Sequence, residues 1–154
     1  MKRFVNLPLL LIVVVGVSAS VFAATPKPEI MGISLGMRQA DARTRLQSIG
    51  SLERETRKRQ EVWVVKDERI SHLLVGYDGD SRVRYVTAIA RTGGPRIRYE
   101  DVVDLKKAQR EENQGNYKFT WQNRAYVLIA HGKDRQYLES YSVKKIDKDE
   151  KEIE

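Results

Sequence analysis

The stretch YEDVVDLKKAQREENQGNYKFTW, Tyr99 to Trp121, decides how the fold is read. Glu100, Asp101 and Asp104 come early, and Lys106, Lys107 and Arg110 come late. That order suits the dipole of a helix. Val102, Leu105 and Ala108 give it an apolar edge, and NQGN, Asn113 to Asn116, reads as its stop. Tyr117, Phe119 and Trp121 then alternate with Lys118 and Thr120, the period of a strand with one buried face. The stretch therefore predicts a helix over 99–112 followed by a strand.

Downstream, Ala125–Ala130 is a nearly continuous apolar strand, and Gly132–Arg135 is a turn. A closing strand carries Tyr137, Tyr141 and Val143 at even spacing. Upstream, TGGP at Thr92–Pro95 breaks the chain, and the same order of elements precedes it. Ala42, Leu46 and Ile49 fall at i, i+4 and i+7, one face of a helix that Gly50 ends. Strands follow at Glu61–Val65, Ser71–Tyr77 and Arg82–Ala90. The turn DGDS, Asp78–Ser81, places an Asp-Gly pair where a tight hairpin accepts positive φ. In Arg82–Ala90, Val83, Tyr85 and Ile89 share one side, and Val86, Ala88 and Ala90 the other.

Each half, 30–91 and 96–146, thus reads as a helix and three antiparallel strands. Strands this apolar need cover on at least one face, and the two helices supply it. The expectation is an α+β fold of two layers: an antiparallel sheet with helices packed on one face. It would be built as two tandem helix-plus-three-strand repeats in a single domain, 30–146.

The first residues bear on location. Lys2 and Arg3 precede the apolar run Leu7–Val17, and small residues follow up to VFAAT, Val21–Thr25. This three-part pattern is that of a secretory signal peptide, 1–24, cleaved near Ala23 or Ala24. It implies a periplasmic or secreted protein. An uncleaved anchor is the rival reading, but a span of about 20 apolar residues would have to include Asn6 and Pro8. Residues 25–29, TPKPE, read as an extended linker, and 147–154, DKDEKEIE, as an acidic disordered tail.

The 154 residues carry a net charge of +7 and no cysteine. Disulfides, thiolate catalysis and thiolate metal sites are therefore excluded. Without the two basic residues of the leader the charge is +5. The tail, with five acids against two bases, leaves a body of +8. In an exported domain that charge points to an anionic lipid surface or an acidic protein partner, or serves solubility alone. Nucleic acid is not expected.

GISLGMRQADARTRL…IG, from Gly32 to Gly50, resembles the start of the SmpA/OmlA (BamE-like) envelope domains. Those domains share a fold with the β-lactamase-inhibitor proteins. Ile33, Leu35, Gly36 and Met37 match the family's run into a short helix, and YDGDSRVRYVTAIA is similar to its hairpin. The likeness covers Ile30 to Ala90 and implies a partner-binding role in the cell envelope. The family's assembly-factor members are lipoproteins, whereas this chain has no cysteine to carry a lipid.

Little in the sequence looks like catalysis. His72 and His131 are far apart, and a zinc site would need them to converge with carboxylates from separate strands. No nucleophile-elbow, zincin or phosphate-loop motif occurs. No enzyme activity, metal or cofactor is expected. Two features remain as candidate partner-binding residues. One is the basic run Arg54, Arg57, Lys58 and Arg59, read as an exposed loop that either touches anionic groups or is simply solvated. The other is the aromatic set Tyr117, Phe119, Trp121, Tyr137 and Tyr141, either cross-strand packing or interface anchors. The expected function is an exported, non-enzymatic protein-binding module of assembly, adaptor or inhibitor type. The alternative is a small secreted hydrolase or ligand carrier with a polar pocket.

Overall fold

The computed structural model describes residues 28–56 and 59–146. The leader 1–24, Arg57, Lys58 and the tail 147–154 lie outside the described residues. The chain runs β1 (Glu29–Ile30), β2 (Ile33–Ser34), α1 (Gln39–Ile49), β3 (Gly50–Thr56), β4 (Gln60–Val65), β5 (Ile70–Tyr77) and β6 (Val83–Ala90). A 3-10 turn at Tyr99–Asp101 follows, then β7 (Gln109–Asn113), β8 (Asn116–Gln122), β9 (Tyr126–Gly132) and β10 (Ser140–Lys145). Strands β1 and β2 form a two-stranded hairpin. The other eight form one antiparallel sheet in the order β3-β4-β5-β6-β10-β9-β8-β7. Two four-strand meanders meet through their last strands, β6 and β10.

This architecture corrects the expected two-layer α+β fold of tandem helix-plus-three-strand repeats. The protein is mostly β, each meander has four strands, and α1 is the one α-helix among the described residues. The second helix fails for a local reason. Ile97, Tyr99 and Val103 are the buried residues of that stretch, while Leu105 is 40% exposed. Nothing beyond Val103 is buried in 99–112, so no apolar stripe runs the length of a helix there. Asp104 accepts the Lys106 N–H at 3.1 Å, an alternative to helical bonding that ends any helix there. Gln109–Asn113 becomes strand β7, and NQGN is its hairpin turn to β8, with positive φ at Gln114 and Gly115. Positive φ at both central residues fits a type I′ turn.

The first helix forms where its pattern places it. Ala42 and Leu46 are fully buried and Ile49 packs against the core. Gly36 precedes it at φ +81° with open space around it, so the turn needs glycine for conformation rather than room. Strand β3 was not expected. Of the run read as a basic loop, Arg54 lies within β3, which pairs with β4. The DGDS turn also differs. Positive φ falls on Ser81, and Asp78 Oδ1 accepts the N–H groups of Asp80 and Arg82 at 3.0 and 2.9 Å.

Three irregularities set the faces of the first meander. The register shifts at Glu53, Ser71 and Arg84, each an extra residue against its neighbouring strand. The shift at Arg84 moves Val83 to the side of Val86 and Ala88 and leaves Tyr85 and Ile89 opposite. Simple alternation had grouped Val83 with Tyr85. Among the described residues, no helix is long and apolar enough to cross a membrane.

Candidate functional site

Paired residues on neighbouring antiparallel strands share a face, so the register divides the sheet into two. One face is covered. It carries Trp63, Leu73, Val75, Val86, Ala88, Val143, Leu128, Ala130 and Phe119, all buried. The β1–β2 hairpin and α1 cover the first meander through Ile30, Ile33, Ala42 and Leu46. Ile97, Tyr99 and Val103 cover the second, where the Tyr99 and Phe119 ring centroids lie 4.5 Å apart.

A buried carboxylate pins α1 to the covered face. Glu61 has no solvent exposure, and its two oxygens accept four hydrogen bonds. Arg43 Nε donates at 2.6 Å, Gln39 Nε2 at 3.0 Å, and Trp63 Nε1 and the Tyr77 hydroxyl at 2.9 Å each. Burial pushes the Glu61 carboxyl up, but the four donors outweigh it and hold the group below the ordinary carboxylate range. Burial, with the adjacent Glu61 charge, drives the Tyr77 phenol up. Four donors satisfy the buried carboxylate, and the network ties α1 to β4 and β5.

The aromatic candidates belong largely to this interior. Tyr117, Phe119 and Trp121 are 7%, 7% and 9% exposed. Tyr141 is half-buried beside them, and burial raises its phenol. Tyr137 precedes β10, half-buried beneath the Arg96 guanidinium at 3.9 Å, and Arg96 also meets Asp134 at 2.7 Å. Of the basic run, Arg54 is exposed on β3, and Arg59 donates to the Asp78 carbonyl at 3.0 Å. Arg57 and Lys58 are outside the described residues.

The other face is open: α1, the hairpin and 97–103 all pack on the opposite side. One cross-strand row runs Arg54, Val62, Leu74, Thr87, Ser142, Ile129, Thr120 and Gln109, one residue from each of the eight strands. A second runs Gln60, Gly76, Tyr85, Lys144, Val127 and Gln122. A third runs Val64, His72, Ile89, Ser140, His131, Lys118 and Glu111. Val64 and Ile89 are 39% and 37% exposed, unusual for aliphatic strand residues in the middle of a sheet. Polar groups surround them.

Both histidines lie in the third row, three strands apart, so they do not converge. His72 meets Ser71 Oγ at 2.9 Å and Glu53 at 3.7 Å. His131 Nε2 lies 2.9 Å from Ser140 Oγ. A hydrolase would use such a Ser–His contact only with a third group orienting the imidazole, and no hydrogen bond from His131 to a carboxylate is present among the described residues. No three metal-binding side chains gather there either.

The sheet's two edges are poor docking edges. All five residues of β7, QREEN, are exposed, and β3, GSLERET, is largely exposed and interrupted at Glu53. Charged and irregular edges oppose the addition of another strand. The open face remains as a broad uncovered surface. Sequence reasoning missed its residues. Leu74, Ile89 and Ile129 alternate with the apolar core positions, so composition alone does not separate the two sides.

No family model matches the chain, and no curated protein matches it. Among solved structures it is similar to an extracellular protein containing a SCP domain from Bacillus anthracis str. Ames, at 11% identity and a TM-score of 0.44. The match covers 71% of this chain and spans 43% of that one. A likeness at that TM-score carries no argument for fold, location or activity.

Proposed function

We propose that the protein is an exported, non-enzymatic binding module of the cell envelope that holds a protein partner on its open sheet face. The observation that carries this is the face itself, eight strands wide, with Val64 on β4 and Ile89 on β6 exposed on it. Exposed aliphatic side chains rimmed by polar groups are what a partner buries. The basic excess of the body would speed encounter with an acidic partner. The secretory pattern of 1–24 and the resemblance of Ile33, Leu35, Gly36 and Met37 to the envelope domains support the location. That a preorganised surface works without chemistry is consistent with the closed hydrogen bonding of Glu61, the most buried charge.

The test is a photo-crosslinking residue placed at Ile89 in intact cells, with an edge position, Glu112, as comparison. The Ile89 probe is expected to trap one protein in the envelope fraction, and Val64→Asp to abolish the capture. Equal capture from both positions, or a protein found in the cytoplasmic fraction, would refute the reading.

A further inference from the structure

A cleft of about 730 Å³ opens at one end of the sheet, between the loops 91–96 and 133–139. Neither loop is helix or strand, yet each is held in place. Arg91 pins the first loop to the carbonyls of Asp67, Val65 and Ile70 at 2.9, 3.0 and 3.2 Å. Its turn is closed by the Gly94 N–H on the Arg91 carbonyl at 3.3 Å, with Gly93 at φ +79°. A Cβ at residue 94 would stand 2.3 Å from the Glu68 carbonyl oxygen, so the loop rests directly on the β4–β5 turn. In the second loop Asp134 Oδ1 accepts the N–H groups of Gln136 and Tyr137 at 2.8 and 3.3 Å. Asp134 Oδ2 accepts from Arg96 at 2.7 Å, and the Arg96 guanidinium lies over the Tyr137 ring. Arg96 thus ties the two loops together, and the walls are set before any ligand arrives.

Five charged side chains line the cleft: Arg91, Arg96, Lys133, Asp134 and Glu139. Three of them are satisfied by the contacts just described. Lys133 and Glu139 are not. Both are exposed, and neither side chain forms a hydrogen bond or ion pair with the other or with any described residue. Ile89, Pro95 and Leu138 supply an aliphatic wall, and Thr92 adds a hydroxyl. One ammonium, one carboxylate and an apolar surface therefore remain for a ligand.

We propose that this cleft is a binding site for a small zwitterion of the amino-acid class, as a free amino acid or a dipeptide. Lys133 and the Thr92 hydroxyl meet its carboxylate, Glu139 meets its ammonium, and an aliphatic side chain lies against Ile89, Pro95 and Leu138. A ligand of one charge sign fits worse. A phosphate would face Glu139 and a polyamine would face Lys133, and like charges so placed oppose binding. A zwitterion makes charge-assisted hydrogen bonds at both ends. The cleft is within the usual size of small-molecule sites, about 300–1,000 Å³. The inference goes beyond the partner-binding reading and does not depend on it, since its test uses no partner.

The experiment is NMR titration of the full chain at neutral pH with L-leucine and with the dipeptide alanyl-leucine. Leucinamide, which lacks the carboxylate, and N-acetylleucine, which lacks the ammonium, are titrated in parallel. Saturable shifts are expected at the amides of Gly93, Lys133 and Leu138 with leucine or the dipeptide. Each analogue should bind at least tenfold more weakly than leucine. Lys133→Gln should weaken leucine binding about tenfold and erase its advantage over leucinamide. Glu139→Gln should do the same against N-acetylleucine. Circular dichroism checks that both variants are folded, and if one is not, the two analogues decide. Binding of the dipeptide alone upholds the site and assigns it to short peptides. The proposal is overturned by any of three results: no saturable shift with either ligand, analogues that bind as well as leucine, or folded variants that keep the full discrimination.

Discussion

Arg43 Nε lies 2.6 Å from Glu61 Oε1, and the carboxylate it holds has no contact with solvent. The pair joins α1 to β4. The Arg43 side chain is 38% exposed, so it can regain water if its partner goes. Trp63 and Tyr77 cannot, and would keep buried donors without acceptors. Glu61→Ala should therefore destabilise the fold by about 3 kcal/mol. A shift of the urea midpoint at unchanged slope would confirm this.

The same network fixes an acid limb of stability. The folded Glu61 carboxyl is held below its unfolded value, so the unfolded chain binds the proton more tightly. Its stabilisation is present above about pH 4.3 and is lost as pH falls through the folded value. Urea unfolding between pH 3 and 6 should show a loss that Glu61→Gln flattens.

Tyr99 sets the opposite limb. Burial, with Asp134 and Glu139 nearby, pushes its phenol up to about 12. A raised folded value means the stabilisation is intact below the unfolded value of about 10 and fades as pH rises toward the folded one. Its hydrogen bond to the Tyr117 carbonyl is long, 3.4 Å, so Tyr99→Phe forfeits little at pH 7. The variant should lose less stability than the parent between pH 9 and 11, measured by thermal melting.

Gly76 and Tyr85 form a cross-strand pair in which the ring lies over the glycine. A Cβ at residue 76 would stand 2.1 Å from Tyr85 Cε1. Gly76→Ala should displace the ring and cost about 1–3 kcal/mol. In the Tyr85→Ala background the same change should be nearly neutral, and a double-mutant cycle reads the coupling.

The two faces should respond differently to substitution. Phe119→Ala empties a core position and should cost about 3–4 kcal/mol. Ile89→Arg adds a charge where solvent already reaches and should stay within about 0.5 kcal/mol. Denaturant unfolding of the two variants side by side checks the assignment of faces.

The sequence was most legible where side chains are driven inward. Ala42 with Leu46 marked α1, and Tyr117, Phe119 and Trp121 marked β8 with its buried side. It was least legible at the edges. Strands β3 and β7 have one hydrogen-bonded neighbour each and mostly exposed side chains, so charge rather than apolar alternation fills them. A run such as KKAQREE then carries a helix-like charge order with nothing to contradict it locally. NQGN held the missing clue, because a type I′ turn needs a strand on both sides. The open face was obscured for another reason. One inserted residue, Arg84, reverses the sense of alternation in β6, and no local property of RVRY announces it.

The meeting of β6 with β10 also orders events in time. Every other adjacent pair of strands in the large sheet is consecutive in the chain, whereas Val86 and Val143 come together across fifty-seven positions. Loop closure over that distance is entropically unfavourable until other contacts compensate. Each meander can zip up from its own hairpins, and their union is expected to be the slower, later step of folding.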